Sequence, residues 1–115
     1  MNKNSSYPYS LVNDREHTPT YLAETLKLFG IKNKEITQLK NALMQKEFRM
    51  GEGGRRLFSD EDLYNCLLQS EYAARFCERH KLGSWQEIIA YRIWREDEDL
   101  ERSQTVVRRI GQQYE

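Results

Sequence analysis

Cys66, Cys77 and His80 are the residues whose types first suggest a metal centre. Cys77 and His80 stand three apart and would share one helix face, whereas Cys66 lies eleven residues before Cys77, three turns away. Zinc takes four converging ligands, or three in a catalytic site, so the cysteines read instead as small apolar side chains of a core. The run Glu96-Asp97-Glu98-Asp99 lacks the spacing and the glycine of a calcium loop and reads as a solvated helix face. Gly51-Glu52-Gly53-Gly54 is followed by two arginines rather than by lysine and a hydroxyl residue, so it does not imply a nucleotide-binding loop. His17 belongs to a polar arm and His80 to a helix end, and neither faces a nucleophile in any recognisable pattern. No enzyme activity, metal or cofactor is expected.

The remaining polar residues spell a different chemistry. Lys34, Thr37, Gln38, Lys40 and Asn41 occupy the faces of a helix away from its apolar stripe. Glutamine and asparagine can pair bidentately with adenine in a major groove, and lysine can reach guanine or phosphate. On this reading Lys34, Gln38 and Asn41 are candidates for base contact, while Lys32 and Lys40 anchor phosphates. Arg49, Arg55 and Arg56 flank the glycine cluster and suit phosphate or minor-groove contact. The charge distribution agrees. The chain carries 18 basic and 18 acidic side chains, yet residues 1–58 hold ten basic against six acidic and residues 59–115 eight against twelve. A basic front half on an acidic back half suggests one face for a polyanion and another for something else.

These residues need elements to hold them. At 115 residues, with 38% hydrophobic and 31% charged, the chain fits one domain with one modest core. Its apolar runs fall far short of the ~20 residues of a membrane span. The first ten residues contain no signal-like stretch, and two cysteines make no disulfide framework. No membrane partner and a cytoplasmic location are expected. Residues 1–17 read as a disordered polar arm. Thr18 then Pro19 reads as a helix N-cap and first position, with Leu22, Leu26 and Phe29 at helical spacing and Gly30 as the stop. A second helix opens at Lys32 or Asn33 with Ile36, Leu39 and Leu43 as its stripe. The pair forms a helix-turn-helix pattern. Around the glycines, 48–50 and 55–58 read as the arms of a small hairpin. Ser59 caps a helix expected to run unbroken over 59–81, with Leu63, Leu67, Ala74 and Cys77 on one stripe and Tyr64, Leu68, Tyr72 and Phe76 on another. Ser84 caps a last helix from 85 to about 111. In it Ile89, Ile93, Leu100, Val107 and Ile110 fall at heptad spacing, interrupted at Glu96 and Ser103, and are expected to meet a second copy of the chain.

At this point the chain resembles the DNA-binding domain of the MerR family. Leu28-Phe29-Gly30-Ile31 is similar to the family's turn between its two helices, and Ile36 falls where the second helix keeps a buried leucine. The most specific stretch is Gly54-Arg55-Arg56-Leu57-Phe58-Ser59-Asp60-Glu61-Asp62-Leu63, which looks like the family's wing-to-helix segment. Leu82-Gly83-Ser84-Trp85-Gln86-Glu87-Ile88 echoes the next helix junction. The resemblance covers about 18–90. It implies a mainly α fold, a winged helix-turn-helix with a small two-stranded β-wing, followed by a C-terminal helical dimerisation region. It also implies backbone contact by Arg56, the counterpart of the wing arginine. Thr37 and Gln38 stand where the family has arginine and tyrosine, and Arg55 replaces the wing tyrosine. No metal-sensing cysteines or effector domain are recognised, so no small-molecule effector is expected.

The expected organisation is an arm over 1–17, a winged helix-turn-helix over 18–82 and a dimerisation helix over 83–115. The expected function is a homodimeric, sequence-specific repressor that binds double-stranded DNA and acts by occupying a promoter. The alternatives are an excisionase-like or plasmid-partition accessory built on the same DNA-binding parts, and a helical adaptor that binds protein instead of DNA.

Overall fold

The computed structural model describes the backbone over residues 14–113 and the side chains of 14–99 and 101. A 3-10 turn, Asp14–His17, leads into α1 (Pro19–Leu28) and α2 (Asn33–Leu43). A two-stranded antiparallel hairpin follows, β1 (Arg49–Met50) and β2 (Arg56–Leu57), joined through a second 3-10 turn at Glu52–Gly54. Then come α3 (Asp60–Leu67), α4 (Glu71–His80) and the long α5 (Trp85–Gln113). The protein is mainly helical with one small sheet, and no helix among the described residues is long and apolar enough to cross a membrane.

The helix boundaries follow from side chains that satisfy orphan backbone groups. Thr18 Oγ1 accepts the Tyr21 amide at 3.2 Å, with Pro19 at the first helical position. Gly30 takes φ +90° and closes α1. Its amide bonds Lys27 carbonyl at 3.0 Å and the Ile31 amide bonds Leu26 carbonyl at 3.1 Å, the paired pattern of a Schellman end. Ser59 and Ser84 hydroxyls accept the amides of Asp62 and Glu87 at 3.1 and 3.2 Å. Ile36, Leu39 and Leu43 of α2 face inward with Leu22 and Leu26 of α1, Leu63 and Leu67 of α3, and Trp85 and Ile88 of α5. Burying each such side chain contributes about 1.5–3 kcal/mol.

In the hairpin, Arg49 stands opposite Leu57 and Met50 opposite Arg56. Leu57 is buried and Arg56 exposed, as alternation along a strand requires. Gly51 is fixed by this packing: a Cβ there would meet Leu57 Cδ1 at 2.8 Å.

Two expectations are corrected. The expectation of a disordered arm over 1–17 fails at its last four residues. Residues 1–13 lie outside the described residues, but Asp14–His17 form a packed turn with Glu16 and His17 buried. The Glu16 carbonyl accepts Trp85 Nε1–H at 3.0 Å, the His17 carbonyl accepts the Phe58 amide at 2.9 Å, and His17 Nε2 meets Asp60 Oδ1 at 2.8 Å. A single turn has no periodicity, and these partners lie 41 to 69 positions away in the chain, so nothing local announces it. The helix expected over 59–81 is two helices. Ser70, fully buried, accepts the Ala73 amide at 3.3 Å and starts α4 afresh, because its hydroxyl competes with the backbone for that donor. This break turns Ala73, Phe76 and Cys77 to the core and leaves Tyr72 at 56% exposure, outside the stripe expected of it. Ile89, in the first turns of α5, is half-buried against the core of its own chain.

α5 is tied to α1 by Arg92. Its guanidinium donates to Thr25 Oγ1 at 3.0 Å and Glu24 Oε1 at 3.1 Å, and lies 4.1 Å from the Tyr21 ring centroid. The next two residues, Ile93 and Trp94, are 49% and 54% exposed. The side chains of Leu100, Val107 and Ile110 lie outside the described residues.

Candidate nucleic-acid interface

An α-helix turns about 100° per residue, so Lys34, Thr37, Gln38 and Asn41 come round to the side of α2 away from Ile36, Leu39 and Leu43. All four are exposed. Lys32, at the N-cap of α2, is exposed as well, and Lys40 is half-buried on the flank of the helix one turn before Met44. The outer face thus presents two amides, a hydroxyl and an ammonium.

Beside that flank runs a groove of about 460 Å³ between α2, the hairpin and the N-terminus of α1. It is lined by Arg15, Thr18, Pro19, Thr20, Lys40, Met44, Arg55 and Arg56. Four of these are cationic, and none of the described residues lining it is acidic. Arg56 lies over the Phe48 ring, 4.9 Å from its centroid, with Nη1 4.0 Å from Met44 Sδ. Arg15 Cζ lies 5.4 Å from the Tyr21 ring centroid, and the Arg15 carbonyl accepts Thr18 Oγ1–H at 2.7 Å.

Of the residues singled out from sequence, Lys40, Arg55 and Arg56 meet in this groove, while Lys34, Thr37, Gln38 and Asn41 share the adjoining outer face of α2. Arg49 does not join them. Residues opposite one another in an antiparallel pair project to the same side, so Arg49 shares the Leu57 side of the hairpin and Arg56 the Met50 side. Arg49 lines a separate hollow of about 430 Å³ whose lining also includes Glu47, Phe48, Ser59 and Asp62. Sequence reasoning missed Arg15 and Thr20. The one available signal was their closeness to the Thr18 cap, which holds both near the start of α1.

The cysteines are inert by environment. Both are free and buried. Cys66 Sγ–H donates to the Leu39 carbonyl at 3.1 Å, and burial pushes its thiol up. Burial pushes Cys77 to about 11, so neither offers a thiolate at neutral pH. The His80 ring packs between Phe76 and Tyr91, at 4.3 and 5.2 Å between centroids. Among the described residues no group of three or more His, Cys, Asp or Glu side chains is placed to hold a metal ion. No family model matches the chain, and neither a curated protein nor a solved structure matches it.

Proposed function

We propose that this chain is a sequence-specific DNA-binding regulator, a homodimer that represses by occupying a promoter. The observation that carries the reading is the groove that holds Lys40, Arg55 and Arg56, with no acidic side chain among its described lining residues, beside a helix face that exposes Lys34, Thr37, Gln38 and Asn41. Backbone cations fix register and base-edge groups select sequence, and here the two sets adjoin. α1, the Gly30 turn and α2 then act as a helix-turn-helix, with α2 in the major groove and the hairpin as its wing. The order of helix, glycine turn, helix, hairpin and serine-capped helix supports the likeness to MerR-type domains. The exposed Ile93 and Trp94 on α5 support pairing with a second copy.

Selection of duplexes from a random pool tests this directly. The expected product is a near-palindromic site, bound by a dimer at equilibrium, because a two-fold protein reads two half-sites. Retention of no duplex at low salt would overturn the reading.

One feature favours a DNA-bending accessory as the second reading. Met50, 63% exposed, stands opposite Arg56 on the same side of the hairpin, and apolar wedges of this kind kink duplexes from the minor groove. Gel mobility of circularly permuted duplexes separates the two, since a bend makes mobility depend on where the site lies.

A further inference from the structure

We infer that the buried turn Asp14–His17 is a working part of the phosphate-binding groove: it delivers Arg15 as the groove's fourth cation, and His17 positions it through Asp60. The inference builds on the DNA-binding reading and adds a residue and a mechanism to it.

The turn is anchored at three points. Glu16 carbonyl is bonded to the Trp85 indole, His17 carbonyl to the Phe58 amide, and His17 Nε2 to Asp60 Oδ1. The last two anchors hold the segment where β2 ends and α3 begins, which is also the segment that carries Arg55 and Arg56 into the groove. The Arg15 carbonyl receives both the Thr18 hydroxyl at 2.7 Å and the Thr18 amide at 3.3 Å, which ties the arginine to the N-terminus of α1. Its guanidinium is thereby kept near the Tyr21 ring and at the groove wall, while the side chain stays exposed. Three guanidinium groups and Lys40, over an apolar floor made by Pro19 and Met44, suit a phosphate-bearing ligand. The groove is open and borders the exposed face of α2, which points to the phosphodiester backbone of a duplex. The same chemistry would hold a free pyrophosphate, and the experiment separates the two sources.

The full chain is titrated with a random-sequence duplex across salt, and separately with inorganic pyrophosphate while the arginine Nε–H resonances are followed. Each cation meeting a phosphate contributes about −0.9 to the slope of log K against log salt. Arg15→Gln is expected to remove about one such contribution and Arg15→Lys to restore it, both remaining folded with a single cooperative melting transition. His17→Gln is expected to lower the slope by the same amount in the wild-type background and by nothing in the Arg15→Gln background. A purely structural histidine would weaken binding equally in both. Duplex binding with an unchanged slope in Arg15→Gln overturns this inference while leaving DNA binding intact. Pyrophosphate binding that is lost in Arg15→Gln, without duplex binding, upholds the groove and overturns the DNA reading. Binding of neither probe overturns both.

Discussion

On the proposed DNA-binding reading, Gln38 and Arg56 serve one interface but answer to different physics. Gln38 is exposed on the outer face of α2, where a bidentate amide contact can tell one base from another. Arg56 lines the groove among other cations, a setting that suits the phosphodiester backbone. Gln38→Ala should therefore weaken the preferred site by about 1–3 kcal/mol and random DNA little. Arg56→Ala should weaken all duplexes alike and lower the salt slope by about one. Salt titrations of both variants on specific and random duplexes check the contrast. Arg56→Ala should also cost about 0.5–1 kcal/mol of stability, from the cation–π contact with Phe48. The exposure of Arg56 was legible in the sequence, because a buried leucine follows it in a strand and alternation does the rest. The pose over Phe48 was not, since it depends on how the chain between α2 and β1 returns. Arg15 was illegible for a similar reason: its position depends on bonds from Trp85, Phe58 and Asp60, and no local pattern encodes those.

Helix starts were the readable elements. Thr18, Ser59 and Ser84 cap where the hydroxyl-then-acid or hydroxyl-then-proline patterns indicate. Gly30 ends α1 because it can take the positive φ that the Schellman bonds require. One boundary escaped. Ser70 starts α4 from inside an unbroken helical pattern, and neither glycine nor proline marks the place. At the other end of α4 the left-handed residue is Lys81, at φ 58°, although Gly83 stands two positions on. There the Leu82 amide bonds the Cys77 carbonyl at 2.8 Å and the Lys81 amide bonds Glu78 at 3.3 Å. The geometry is that of a glycine-type cap, occupied by a residue with a Cβ. A left-handed side-chain residue costs about 1–2 kcal/mol, partly offset by glycine's greater freedom when unfolded. Lys81→Gly should accordingly stabilise the protein by about 0.5–1 kcal/mol, read as a higher urea midpoint at unchanged slope. A lower midpoint would mean that Lys81 contributes something beyond its backbone.

Across the whole molecule, burial acts on titratable groups in one direction. It pushes the Tyr21 and Tyr64 hydroxyls and the Cys66 thiol above their ordinary values, and Cys77 to about 11 from about 9. An unfolded chain gives up these protons first, so stability is fully present below about pH 9 and declines as pH rises toward about 11. For Cys77 alone the gap corresponds to about 2–3 kcal/mol. Urea unfolding at pH 8 and pH 11 should show the loss, and Cys77→Ala should reduce it. The outline of the molecule is elongated, 58 × 37 × 29 Å. Arg92 ties α5 to α1, and the helix continues to Gln113, roughly 30 Å further at 1.5 Å per residue. If two copies join along that extension in opposite directions, it becomes a measuring rod that fixes the distance between their DNA-reading heads. Seven residues inserted in phase with the helix would push the heads about 10 Å apart. That is about three base pairs, close to a third of a turn of the duplex. The second head would then face the wrong side of its half-site. The lengthened protein should bind the native site with the affinity of a single head, and recover when the half-sites are respaced to match.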